Sequence, residues 1–374
     1  MTVVISAAAV QDACGDMGPS WLLVDGGLVR DRGTGPAPEV HGAERATVDI
    51  VAPGLFDSHV HGARGVDFGS PGVDPGPALE LHRAFGATTL LASVATRAPG
   101  ALLTRIGELR PLVEAGTLAG IHLEGPWLAP ARRGAHAADL LRAPLSHEID
   151  GVLETAAGTL RMVTLAPELP GAFAAVERFA QAGVIVAIGH SAADAATAER
   201  AMDAGASVVT HLFNGMPPLL SREPGIVGVA LSRSDVTVEL IADGVHVADT
   251  VVEVVFAAAS GRVSLVSDAM SATGLGDGRY DLAGSDVTVA DGVARLSDGS
   301  SLAGSTTPLG AVVERLLARG LDAGDVLAAA SLTPARALGI ELPALRVGDR
   351  ADLVTVTGGT LRAMGDGAWL ASSR

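Results

Sequence analysis

The chain has no lysine. Its 26 basic residues are all arginine, which excludes chemistry run through a lysine amine: Schiff bases, the phosphate-gripping lysine of P-loops, and a carboxylated lysine bridging two metal ions. It has one cysteine, Cys14, so no intrachain disulfide can form. Aromatic residues make up 3% of a chain that is 48% hydrophobic, so the core has to be aliphatic, built mostly from Ala, Val and Leu. No apolar run reaches the roughly 18–20 residues that a membrane helix needs. No basic residue precedes Arg30, so the start lacks the charged region of a secretory signal. Positive charge is scarce overall. The formal net charge of −16 argues against nucleic acid and acidic membrane surfaces as partners, and still permits a small anion held by one or two placed arginines. These absences predict a cytoplasmic protein of enzyme size, its 374 residues sufficient for one α/β barrel with an appendage.

Eight short β-rich runs punctuate the chain, at 50–61, 87–95, 118–125, 161–168, 184–190, 207–213, 236–246 and 263–269. Helix-like stretches separate most of them, such as 191–206 with Ser191 placed as an N-cap. Strand–helix alternation with a count of eight predicts a closed (β/α)8 TIM-like barrel over residues 51–342. An open doubly wound sheet is the alternative, but it usually carries a glycine-rich phosphate loop after its first strand, and none is evident. Residues 1–50 and 343–374 read as strand-like pieces with turn glycines, which predicts a small β-sandwich domain built from both chain ends. An insert near 279–301 carries Asp291-Gly292 and Asp298-Gly299 between alternating runs, the strongest hairpin signal in the chain. Two helices are expected after it, at 308–320 and 323–338.

The residues that end these runs carry the chemistry. Run one ends in His59-Val60-His61, run three in Glu124, run five in His190, run six in His211 and run eight in Asp268. In a barrel those strand ends converge on one mouth. Histidine and carboxylate together are ligands for zinc and similar divalent ions. The period of two along a strand puts His59 and His61 on one face, as a chelating pair requires. Each residue taken singly reads as core histidine or helix cap; five run ends together predict a metal centre. His122 reads as internal to the barrel and is not assigned as a ligand.

The segments "PGLFDSHVHG", "HLEGPWL", "AIGHS", "THLFNGMPPL" and "LVSDAM" resemble the amidohydrolase superfamily, and most of all its branch of amino-sugar-phosphate deacetylases. The resemblance covers nearly the whole chain. It implies hydrolysis of the acetamide of N-acetylglucosamine 6-phosphate to glucosamine 6-phosphate and acetate, in amino-sugar catabolism and cell-wall recycling. The same chemistry on N-acetylgalactosamine 6-phosphate, or another amidohydrolase reaction on a cyclic amide or dipeptide, is the alternative. By resemblance Glu124, where others use a carboxylated lysine, holds the principal divalent metal with His190 and His211. His59 and His61 ligate a second ion or neighbour an empty site. Zinc is expected first, with iron, cobalt or manganese as alternatives. Asp268 is implied as the proton acceptor and donor, and His136 as a helper at the oxyanion; Ala137-Ala138 follow it where relatives carry Asn-Pro. Substrate contacts are implied for Ala135, His136, Asn214, Gly215, Arg222, His246 and the loop Leu302, Ala303, Gly304. A homodimer is implied, with part of the phosphate pocket coming from the neighbouring subunit.

Overall fold

The structure is a computed structural model that describes residues 1–11 and 17–371; Cys14 lies outside the described residues. Eight strands follow in order: β1 (Leu55–Val60), β2 (Ala87–Ala95), β3 (Gly120–Glu124), β4 (Leu160–Leu165), β5 (Ile185–Ile188), β6 (Ala206–Val209), β7 (Thr237–Leu240) and β8 (Val263–Leu265). They form one sheet in chain order, with parallel pairing from β2 through β8. Its two edges are joined beyond β8, where His61 N donates to Ala269 O at 2.8 Å and Asp268 N donates to His59 O at 2.9 Å. This is the expected (β/α)8 barrel. Strands of such a sheet are covered on both faces, and β1 and β3 are buried at every position. That is why they stand out as unbroken apolar runs.

The chain divides into two compact units. One comprises Met1–Asp57, Glu80–Thr89 and Pro308–Arg374; the other comprises Ser58–Leu79 and Leu90–Thr307. In the first, the two chain ends share a seven-stranded sheet. Strand Thr2–Gln11 lies inside it, parallel to Glu44–Pro53 and antiparallel to Met17–Asp25. Val3, Ile5, Leu22, Val51, Leu353 and Met364 fill its core. The helix expected over 323–338 is two, Ala323–Ala329 and Leu332–Ala337.

In the second unit, helix Ala195–Asp203 corrects the reading of Ser191 as a cap. Asp194 caps it instead, accepting from Thr197 N at 2.8 Å. Ser191 is drawn away, its hydroxyl donating to Glu168 at 2.7 Å. The insert forms an antiparallel sheet of β9 (Gly278–Leu282), β10 (Ser285–Ala290) and β11 (Val293–Leu296). Asp291-Gly292 turns β10 into β11 with positive φ at both residues. Asp298-Gly299 instead returns the chain from β11 to a bridge between Arg295 and Leu302. The insert's apolar face packs with Ala135, Met270 and Ala303.

Candidate metal centre and active site

Every residue of the site belongs to the second unit. His59 and Glu124 lie within β1 and β3, while His61, His190, His211 and Asp268 lie one to three residues past the ends of their strands. Three of these take left-handed backbone, with φ of 47° at His190, 28° at His211 and 48° at Asp268. Non-glycine residues rarely adopt it, and where they do the strain marks functional sites. Here the sharp turn off each strand aims the side chain back over the barrel mouth.

The side chains converge as two sets of three. In the first, Glu124 Oε1 lies 3.0 Å from both His190 Nε2 and His211 Nε2, and the two nitrogens are 3.1 Å apart. In the second, His61 Nε2 lies 3.2 Å from His59 Nε2 and from Asp268 Oδ1, and His59 Nε2 is 3.5 Å from Asp268 Oδ1. Glu124 faces both, its Oε2 being 3.1 Å from His61 Nε2. Either set has the composition and mutual approach of metal donors. Donors held about 2.0–2.1 Å from a tetrahedral ion stand roughly 3.3 Å from one another, close to these separations.

In three of the rings the far nitrogen fixes which face is offered. His190 Nδ1 donates to Arg132 O at 2.8 Å and His61 Nδ1 to Ser93 O at 3.2 Å, so both turn a lone pair on Nε2 to the cluster. His59 Nδ1 lies 3.1 Å from Glu239 Oε2. Glu239, on β7, escaped the sequence reading; its signal was a carboxylate in the middle of the apolar run "VTVELI". His122 lies inside the barrel, bonded to Ser93 Oγ at 2.9 Å and to Thr164 Oγ1 at 2.8 Å.

Burial opposes charge on His59, yet Glu124 and Glu239 outweigh it and hold its pKa well above the usual value. His61 is pushed up to about 9, burial being overcome by Asp268 and Glu124. Burial would raise both carboxylates, but His59 and His190 hold Glu124 low, and His61 and His59 hold Asp268 low. A ring of imidazoles drawn toward positive charge around two ionised carboxylates is the donor chemistry of a divalent cation, which replaces those protons. His136 differs. Burial lowers it to about 4 despite Glu124, leaving a neutral ring. Thr96 N donates to its Nδ1 at 3.4 Å, which puts the ring proton on Nε2.

A cavity of about 190 Å³ opens over the two sets, walled by Ala135, His136, Asn214, Gly215, His246, Leu302 and Gly304. Gly215 is required: its φ is +62°, and a Cβ would stand 2.9 Å from His190 Nδ1. Asn214 N donates to His211 O, and its side-chain Nδ2 donates to His211 O and Leu212 O at 3.3 Å, so the donors of Asn214 turn back onto its own loop. Ala303 is buried beside Leu302 and packs into the insert's core. His246 pairs with Asp243 at 2.8 Å. Arg222 is not on this wall. It lies exposed on a second cavity of about 660 Å³, with Arg132, Pro217 and Pro218.

A parallel barrel with His/Asp/Glu donor sets at the C-terminal ends of its strands defines a class of metal-dependent barrel proteins. Residues 50–367 match the amidohydrolase family model, and the chain belongs to that family. It is 38% identical over 321 residues to an N-acetylgalactosamine-6-phosphate deacetylase of Escherichia coli O157:H7, covering 83% of this chain and 84% of that one. It is 36% identical over 308 residues to the N-acetylglucosamine-6-phosphate deacetylase of Bos taurus, covering 78% and 75%. Among solved structures, a mutant N-acetyl-D-glucosamine-6-phosphate deacetylase from Mycobacterium smegmatis, in complex with N-acetyl-D-glucosamine-6-phosphate, superposes with a TM-score of 0.92 at 40% identity over 99% of both chains. Among the described residues, no helix is long and apolar enough to cross a membrane.

Proposed function

We propose that the chain hydrolyses the acetamide of N-acetylglucosamine 6-phosphate to glucosamine 6-phosphate and acetate. The observation that carries the reading is the convergence of Glu124, His190 and His211 within 3.0–3.1 Å at the floor of a sugar-sized cavity beside Asp268. Glu124, His190 and His211 would hold the principal ion, zinc first, and His59, His61 and Asp268 would hold a second. When bound, such an ion supplies Lewis acidity and brings the pKa of water from about 15.7 toward 7.

The chain's own groups do the rest. Asp268, kept ionised, accepts the proton of the attacking water and returns it to the amine nitrogen as the C–N bond breaks. Neutral His136, with its proton on Nε2, donates to the oxygen on which negative charge develops. Asn214, Gly215, His246 and the 302–304 loop orient the sugar. Arg222, exposed beside Leu219 and Leu220, reaches the phosphate from a second copy of the chain in a homodimer.

The test is acetate release from phosphorylated and plain N-acetyl sugars by wild type and Asp268→Asn. Loss of about 10²–10⁴-fold in the variant is expected; equal rates overturn the mechanism, and preference for a plain sugar overturns the substrate. The panel includes N-acetylgalactosamine 6-phosphate, because the similar Escherichia coli enzyme is named for that epimer.

A further inference from the structure

One buried carboxylate has no part in the reaction as written. Glu239 sits in β7 with 1% of its surface exposed. An ionised carboxylate is expensive to remove from water unless hydrogen bonds and positive charge answer it. Here Oε1 accepts the Ser58 hydroxyl at 3.3 Å, and Oε2 lies 3.1 Å from His59 Nδ1.

His59 is enclosed in turn. The ring of His122 stands edge-on to it at 4.6 Å and that of His211 stacks at 5.5 Å. These rings fix where the imidazole lies, but not which nitrogen carries its proton. Glu239 does that: a carboxylate only accepts, so Nδ1 donates and Nε2 presents its lone pair toward His61 and Asp268. His190 and His61 are backed by main-chain carbonyls; His59 is backed by the carboxylate of a side chain. A carboxylate behind a ligating histidine raises the basicity of the ligand and is worth 10–100-fold in metal affinity.

We propose that Glu239 is the positioning residue of the second donor set, fixing the His59 tautomer so that the ion at His59, His61 and Asp268 is held, while the ion at Glu124, His190 and His211 does not depend on it. The proposal rests on the metal-dependent reading above and deepens it by naming the residue that governs the second ion.

The test equilibrates zinc-loaded wild type, Glu239→Gln, His59→Ala and the double variant against graded chelator. Zinc retained per chain is counted by mass spectrometry, with circular dichroism as the check on folding. Wild type is expected to lose two ions in two steps. Glu239→Gln loses one of them at about 10–100-fold higher free zinc and keeps the other as wild type does. In the His59→Ala background the Glu239 change adds nothing. Curves that overlay wild type, equal weakening of both ions, or additive losses in the double variant overturn the proposal. If Glu239→Gln does not give the wild-type dichroism, Glu239→Asp is judged by the same criteria. A wild type retaining one ion yet releasing acetate overturns the proposal and leaves the reaction standing. Two ions with the expected shift but no acetate from the sugar phosphate overturns the reaction and leaves the proposal standing.

Discussion

Glu124 of the first donor set also faces the second, yet the two sets are positioned by different means. In the first, two of three members are histidines on left-handed turns, and His190 is backed by a main-chain carbonyl. Nothing among the described residues bonds to His211 Nδ1. In the second, both histidines lie on or beside β1 with ordinary φ, and Glu239 and Ser93 O fix their rings from behind. Left-handed turns place both histidines of the first set; surrounding groups fix the two histidines of the second, while its third member, Asp268, also stands on a left-handed turn. A site set by backbone responds to changes in turn geometry, whereas one set by side chains can be lost by changing a residue that touches no ion.

Glu124→Gln breaks the comparison outright, because that carboxylate faces both sets. Bound zinc should fall at both, and kcat should drop by about 10³-fold or more, the equivalent of several kcal/mol of transition-state stabilisation. Retention of two ions would show that the sets are independent. Gly215→Ala should act on the first set alone. A methyl 2.9 Å from His190 Nδ1 at φ +62° should cost about 1–3 kcal/mol in denaturant unfolding and weaken one ion only.

His246 gives a smaller, pH-dependent effect outside both sets. Burial lowers its pKa, but Asp243 outweighs burial and raises it above the ordinary 6.5. A raised folded value means that the stabilisation is fully present below about 6.5 and is lost as pH rises through the folded pKa. Asp243, held low chiefly by His246 against burial, contributes above the ordinary carboxylate pKa of about 3.9 and loses that contribution as pH falls. KM for the sugar phosphate should therefore rise severalfold as pH climbs through the His246 transition, and His246→Gln should flatten that profile. Smallest of all, Asp194→Ala should cost about 1 kcal/mol as a lost helix cap, measured by thermal unfolding. Retention of added divalent metal should be unchanged if the turn at His190, not the helix, sets the ring.

The barrel was legible because all eight strands are short apolar runs, and five of those runs end in the histidines and carboxylates of the site. Glu124, His190, His211 and Asp268 stood out for the same reason: a charge closing an apolar run has few structural uses. Glu239 did not, because a lone glutamate within a strand reads as solvent-facing, and only barrel closure turns that position toward His59. Ser191 misled because Asp194 stands three residues later and accepts the first-turn N–H. The place of Arg222 depends on how the 213–225 loop folds back, which no periodicity records.

The donors also lie far apart along the chain. Glu124 and His211 are 87 residues apart, and His59 and Glu239 are 180 apart. Contacts so distant in sequence carry a large loop-closure cost and form late in folding. An ion that binds only the assembled mouth cannot nucleate it. Its stabilisation goes into the barrier against opening, so a loaded chain should fold no faster than an empty one and unfold far more slowly.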